Sequence, residues 1–511
     1  MISRVSTVAF QGIEGVAVDV QVMISPGKVG IQIVGLPDKA VAESRERIQA
    51  ALYACGLALP AKRITVNLAP ADLPKEGSHF DLPIILALMS SIQALPSESL
   101  AHYLALGELH LDGSLGPING VLPAAICAKN LNKGLICPKS CGSEAAWANE
   151  HLDILAPDTL IELTNHFRKT QILSRPQPAK RSQNLTLSDL SDIKGQKAAK
   201  RALEIAAAGG HNLLMMGPPG SGKSLLASRL PSILPPLSTA ELLEVAAIHS
   251  MAGQLSHEQN LSQYRPFRSP HHSATMAALV GGGTRVRPGE VSLAHNGVLF
   301  MDEFPEFSPQ ALNALRQPLE TGECIIARAN RSVRYPARIQ LVTAMNPCRC
   351  GMAGEGDTSC IRGPRCAIDY QARISGPLLD RIDIRIEMPA VSTTDLLMPS
   401  NAESSQSVAE RILKARQYQQ QRMEKMGISS VTNNAHCSVA LIEQIAVPDS
   451  QGVLLLNEAA EKMHFSARGY HRILKVARTI ADLDQSEIVK SIHLAEAIAY
   501  RIPSESFTKI A

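Results

Sequence analysis

Residues 217–224 read Gly-Pro-Pro-Gly-Ser-Gly-Lys-Ser, and no other stretch restricts the fold as strongly. The spacing G-x-x-x-x-G-K-[ST] is that of a phosphate-binding loop. The apolar run Asn212–Met216 before it predicts a strand, and Leu225–Leu230 after it predicts a helix. Such a loop works only between a strand and a helix start, where main-chain N–H groups point at an anion. Gly217, Gly220 and Gly222 let the backbone come close, and Pro218, Pro219 and Ser221 complete the cradle. Lys223 is expected to reach the β/γ-phosphates of a nucleotide, and Ser224 to hold Mg²⁺. The chain must therefore contain an α/β layer.

With 511 residues there is room for three or four domains. Charged residues make up 19% and hydrophobic ones 45%, ordinary for a globular protein. A net charge of +3 gives no global pull on polyanions, so a nucleic-acid surface would have to be a local patch. The start lacks an apolar signal core, and the longest apolar run, Leu82–Met89, is far shorter than the roughly 20 residues a membrane helix needs. A soluble, cytoplasmic protein with no membrane partner is expected. In that compartment the ten cysteines should be reduced, and the four between positions 348 and 366 suggest metal before disulfide.

Residues 1–168 mix strand-like runs (Val16–Ile24, Ile31–Gly35, Arg63–Leu68) with helical ones (Ala40–Cys55, Asp81–Ala94). Residues 169–185 are polar, basic and proline-containing, as a linker is. Residues 186–395 alternate strand-like and helix-like runs around the phosphate loop. Residues 396–511 carry helical spacing throughout: Ser405–Lys425, Ser438–Ile445, Gly452–Met463, Gly469–Leu483 and Ile492–Arg501.

Further motifs follow the loop. The apolar run Val298–Met301 ends in Asp302-Glu303. Asp302 would hold Mg²⁺ through water and Glu303 would polarise the attacking water, since phosphoryl transfer needs positioning and charge neutralisation. Leu341–Met345 is a second apolar run, ending in Asn346-Pro347. Asn346 is either a strand-end turn or an orienter of water at the γ-phosphate. Arg381, within Ser375–Asp383, precedes another apolar strand and either pairs with Asp380 or Asp383 or reaches a neighbouring subunit. Arg468 opens a helix after Phe465-Ser466-Ala467, and Gln196 follows Gly195 upstream of the loop.

These strings resemble the magnesium-chelatase-like AAA+ proteins of the ComM (YifB) type along essentially the full chain. Also shared are Arg265–His272, with its His271-His272 pair, and Gly289–Asn296. The resemblance implies an AAA+ P-loop ATPase core of class α/β, a C-terminal helical lid and an N-terminal α+β domain like that of Lon protease (ribosomal S5 domain 2-like). It makes Asn346 a sensor near the γ-phosphate and Arg381 an arginine finger. Arg468 becomes a second sensor acting across the subunit boundary, and Gln196 part of an element near the adenine. It places a helix-2 insert near residues 249–290 and a hairpin at Cys324–Tyr335, with Ala329-Asn330 near its tip. Arg328, Arg331 and Arg334 of that hairpin either track a DNA backbone in the pore of a ring or form a solvated hairpin edge. For His271-His272, packing in the insert or a DNA role is favoured over metal.

In the Lon-like segment, Pro74–His79 puts His79 at the nucleophile position and Leu122 in the place of the general-base lysine. Ser78 and Lys75 are poorly placed to substitute, so no protease is expected. Cys348, Cys350, Cys360 and Cys366 give C-x-C-x₉-C-x₅-C, read either as a structural zinc site or as reduced, unliganded thiols. The implied function is a homo-hexameric ATP-dependent DNA helicase that drives branch migration of single-stranded or branched DNA. It would act in homologous recombination of incoming DNA during natural transformation, with recombination proteins as partners. ATP and Mg²⁺ are the expected cofactors, with Zn²⁺ a third if the thiolates bind it. The rival readings are a magnesium-chelatase motor subunit and a remodeller of a protein partner.

Overall fold

A computed structural model describes residues 2–178, 187–255, 262–283, 286–328, 331–351, 360, 365–391, 403–428, 431–463 and 465–501. Part of the expected linker and the hairpin tip, residues 329–330, lie outside the described residues, as do the side chains of Arg328 and Arg331. The chain divides into two compact units. The first joins Met1–Gln183 with Thr239–Ser262 and Ala327–Tyr335; the second joins Asn184–Ser238, Gln263–Ile326 and Pro336–Ala511.

The first unit is built on a seven-stranded mixed sheet. Its strands are β1 (Ile2–Gln11), β2 (Glu14–Ser25), β3 (Gly30–Val34), β4 (Arg63–Ala69), β5 (Tyr103–Ala105), β8 (Gly134–Ile136) and β9 (Ile154–Leu155). β6 (Glu108–Leu109) and β7 (Leu115–Gly116) form a separate small pair. The sheet order is β3-β4-β2-β1-β5-β8-β9. Alternation decides which face is buried: Val18, Val20 and Val22 of β2 and Ile64, Val66 and Leu68 of β4 all point into the core. The apolar run Leu82–Met89 is the middle of the helix Asp81–Ser91, buried along almost its whole length. A helix apolar all round belongs in a protein core or a membrane, and no helix of the described residues is long and apolar enough to cross a membrane. The helix Thr239–Ala252 also belongs to this unit, although its sequence lies inside the nucleotide-binding region. It packs on the helix Val121–Asn130, where the Gly120 N–H donates to Ser250 O and Ser250 Oγ donates to Glu144 Oε1 at 2.5 Å.

His79 sits in the core of the first unit between Phe10 and Phe80. Its Nε2 lies 2.9 Å from Val8 O, and because a carbonyl only accepts, Nε2 must carry the proton. Burial pushes the imidazole down to about 4, against the Val8 hydrogen bond and Asp38, which favour the charged form. In the unfolded chain the same ring takes a proton near pH 6.5. Folding is therefore destabilised as pH falls from about 6.5 towards 4, where the unfolded state binds the extra proton. Thermal melts across this range should show His79→Gln losing less stability on acidification than the parent, whatever its starting Tm.

The second unit centres on a parallel five-stranded sheet. Its strands are β10 (Leu213–Met216), β11 (Phe267–Arg268), β12 (Val298–Met301), β15 (Gln340–Met345) and β16 (Ile384–Glu387), in the order β11-β12-β15-β10-β16. Strands β10, β12 and β15 are buried at every position, as strands covered on both faces must be. β13 (Glu323–Arg328) and β14 (Arg331–Pro336) pair as the expected hairpin, of which Ala327–Tyr335 is grouped with the first unit. The helix Lys197–Gly209 buries Ala199, Ala202, Leu203 and Ala206 in one cluster with the sheet and the C-terminal helices. The C-terminal helices are Ser405–Lys425, Val439–Ile445, Ser450–Met463, Ala467–Leu483 and Ser491–Ala499, close to the predicted spans. The predicted helix Leu225–Leu230 is instead two short ones, Lys223–Ala227 and Leu230–Ile233, the second with Pro231 in its first turn. Proline tolerates a helix start but not an interior.

Candidate nucleotide site

Parallel register sets the site. Met216 pairs with Met345, and Met301 with Thr343, so β10, β12 and β15 end at nearly one level. The phosphate loop, Asp302-Glu303 and Asn346 leave from these ends, the rim where open parallel sheets bind ligands. Gly220 and Gly222 are left-handed at φ 79° and 89°, which turns the loop into the helix start at Lys223. Gly217 is needed for a different reason. A Cβ there would lie 2.3 Å from Met388 O and 2.9 Å from Ser221 Oγ.

Lys223 is 8% exposed. Its Nζ donates to Gly217 O at 2.7 Å, Pro218 O at 2.8 Å, Ser221 Oγ at 3.3 Å and Asn346 Oδ1 at 3.2 Å. Burial lowers the ammonium's pKa, opposed by attraction to Asp302. The oxygens around Nζ stand where phosphate oxygens would compete for the same three protons. Ser224 Oγ donates to Asp302 Oδ2 at 2.5 Å, so a hydroxyl from a helix start and a carboxylate from a strand end face one point. That donor set suits a hard cation such as Mg²⁺, held by one or two protein oxygens and phosphate. The Glu303 N–H donates to Asp302 Oδ1 at 2.9 Å, and Glu303 is itself left-handed at φ 49°. Gln196 Nε2 donates to Ser221 O at 3.3 Å and Pro389 O at 2.7 Å, bracing the loop.

Two contacts of this site were not read from sequence. His272 Nδ1 lies 3.0 Å from Glu303 Oε2, so the base-position carboxylate is held by a histidine five residues past the start of β11. The rings of His271 and His272 lie 4.1 Å apart and tilted by 34°, and among the described residues neither belongs to a metal-holding group. Arg381 pairs with neither Asp380 nor Asp383: its Nη2 meets Glu320 Oε2 at 2.5 Å and its Nη1 donates to Pro377 O at 2.6 Å. Arg468, more exposed, approaches the other oxygen of Glu320 at 3.9 Å. No local motif marks Glu320, and the string that contains His272 does not point to Glu303, because each contact is defined by a partner distant in sequence.

The four sulfurs of Cys348, Cys350, Cys360 and Cys366 lie within 4.8 Å of one another. Cys350 Sγ is 3.1 Å from both Cys348 Sγ and Cys360 Sγ. Four thiolates around one zinc at about 2.3 Å put the sulfurs about 3.8 Å apart, so the donor set fits. The cluster begins two residues after Asn346. A Cβ on the left-handed Gly351 would come 2.5 Å from Pro219 Cδ, so this loop touches the phosphate loop. Arg334 is exposed, and its main-chain oxygen would lie 2.2 Å from a Cβ on Gly12, within the first unit.

Gly217→Ala should therefore disturb the loop, since the added methyl meets a carbonyl that cannot move without β16. Overpacking of this kind costs about 1–3 kcal/mol. Fluorescent-nucleotide titration is expected to show affinity weakened at least tenfold, with Tm lowered.

The magnesium chelatase subunit ChlI family matches residues 189–396, the related ChlI segments match 20–141, and the ChlI C-terminal segment matches 402–501. The competence protein ComM of Haemophilus influenzae is 43% identical over 500 residues, covering 96% of each chain. YifB of Escherichia coli K12 is 42% identical over 503 residues, 98% of this chain and 97% of its own. The magnesium-chelatase 38 kDa subunit of Cereibacter sphaeroides is 26% identical over 173 residues, 31% of this chain and 52% of its own. With full-length likeness of this depth on top of the strand-end geometry, the chain belongs to the ComM/YifB family of magnesium-chelatase-like AAA+ ATPases.

Proposed function

We propose that this protein is a ring-forming, hexameric ATP-dependent DNA motor that promotes branch migration during recombination of incoming DNA. The observation that carries the motor chemistry is the convergence of Lys223, Ser224, Asp302 and Asn346 at one sheet rim. The DNA reading is supported by the arginine-bearing hairpin and by full-length likeness to a protein named for competence.

In this reading Lys223 turns from the loop carbonyls to the phosphates, and Asn346, already within reach of Nζ, stays beside the γ-phosphate. Ser224 and Asp302 would hold a magnesium ion, which would supply charge neutralisation at the phosphate oxygens. Glu303 orients water once released from His272. Arg381 and Arg468 complete the site of the neighbouring subunit. The hairpin arginines bind phosphates without reading sequence, so binding should weaken steeply with salt.

The N-terminal unit is read as a Lon-like domain without protease activity, and the C-terminal helices as a lid. His79 at the nucleophile position is buried and neutral, and Leu122 is buried in the lysine's place. Ser78 Oγ donates to Glu108, and Lys75 Nζ to Pro70 O, so neither is poised against the other. The cysteine cluster is read as a structural zinc site bracing the turn after Asn346. The chelatase-subunit reading has the family match behind it, but two magnesium-chelatase 38 kDa subunits align with 31% and 35% of this chain.

ATP hydrolysis by the purified protein, with and without single-stranded DNA, tests the motor. Several-fold stimulation that fades with added salt and is absent in Lys223→Ala is expected. Robust hydrolysis indifferent to DNA would overturn the DNA reading. Metal analysis should find one zinc per chain, lost in Cys350→Ser together with weakened nucleotide binding; a metal-free parent protein would remove the zinc assignment.

A further inference from the structure

Glu320 stands near the end of the short helix Arg316–Thr321, and its carboxylate touches both arginines expected to act across a subunit boundary. One oxygen takes Arg381 Nη2 at 2.5 Å and the other faces Arg468 Nη2 at 3.9 Å. The three side chains run from interior to surface, with exposures of 9% for Arg381, 57% for Glu320 and 67% for Arg468. Without Glu320, the buried guanidinium of Arg381 would keep Pro377 O as its one acceptor among the described residues, and the carboxylate shared with Arg468 would be gone. A buried charge stripped of its partner does not hold its place.

The chain then runs directly into the hairpin. Gly322, left-handed at φ 71°, turns Thr321 into β13, and its carbonyl accepts from Ala337 N at 2.7 Å. That bond closes the base of the hairpin, one residue past the end of β14. Glu320 is thus two residues from the hinge at which the hairpin joins the core.

We propose that Glu320 is a positioning residue that holds Arg381 and Arg468 as one unit and ties that unit to the base of the β13–β14 hairpin. Displacement of the hairpin by DNA then moves both arginines relative to the nucleotide they serve. The inference rests on reading the two arginines as acting on a neighbouring subunit's nucleotide. Glu320 itself touches no nucleotide.

The test measures ATP hydrolysis of Glu320→Gln alone and in equimolar mixtures with other variants. Misplacing a catalytic group by an ångström costs on the order of 100-fold, so kcat is expected to fall about 10- to 100-fold. KM should change little, because the phosphate loop of the same chain is intact. What remains should no longer respond to single-stranded DNA. Mixed with Lys223→Ala, whose own site is dead but whose arginines are intact, activity should rise well above the sum of the parts. Mixed with Arg381→Ala, it should not. This rescue also shows that Glu320→Gln folds and assembles.

A wild-type kcat in Glu320→Gln overturns the proposal. So does absence of rescue by Lys223→Ala when the control pair, Arg381→Ala with Lys223→Ala, is rescued. Residual activity with undiminished DNA stimulation overturns the tie to the hairpin. If the control pair itself is not rescued, the cross-subunit reading of the arginines fails, and the proposal falls with it.

Discussion

The register of β12, β15 and β10 is the constraint on which the nucleotide chemistry depends. Lys223 and Asn346, 123 positions apart, meet because β10 and β15 end opposite one another, with the end of β12 two residues away. A shift of one residue in β15 would carry Asn346 away from Lys223 and turn the strand's apolar set to the opposite face. Burial of all three strands on both faces makes that shift costly, and so the core fixes the geometry of the site.

At the opposite ends of the strands, a buried polar knot joins the sheet to the C-terminal helices. Burial alone would raise the Asp383 carboxyl. Arg472, His211 and the Asn212 N–H outweigh it and hold the group far below the ordinary carboxylate range. Asn212 also donates through Nδ2 to Arg381 O at 2.8 Å, and Arg472 Nη1 lies 3.2 Å from the same oxygen. The main chain of Arg381 is thus fixed from β10 and from the helix Ala467–Leu483, while Glu320 fixes its side chain. Arg381 is thus held by the helical segment through its main chain and by the helix Arg316–Thr321 through its side chain.

The phosphate loop lies between two supports of different chemistry. Gln196 spans from the loop to Pro389 O on one side. On the other, the cysteine-bearing turn presses Gly351 against Pro219. A loop of glycines and prolines has few side chains of its own with which to hold a shape, so its conformation is imposed by neighbours.

Much of the candidate nucleotide site was legible in the sequence, because glycine spacing, apolar runs and terminal acids are local signals with local causes. The helices after position 404 were legible for the same reason, through their periodicity. The split of Lys223–Ala227 from Leu230–Ile233 was not, since propensity alone does not weigh Pro231 against its context. Assignment of Thr239–Ala252 to the first unit, the hold of His272 on Glu303 and the sharing of Glu320 by two arginines came only with the tertiary structure. The four cysteines were a candidate cluster from their nearness in sequence, and the tertiary structure brings their sulfurs within 4.8 Å of one another. In each of these the partners are set by packing of elements distant in the chain, and a polar side chain's role depends on which group the fold brings to it. The sequence alone determined that a phosphate loop sits between a strand and a helix in a parallel sheet. The tertiary structure decided what holds each candidate site side chain, because hydrogen bonds and ion pairs act over a few ångströms and chain spacing does not encode distance.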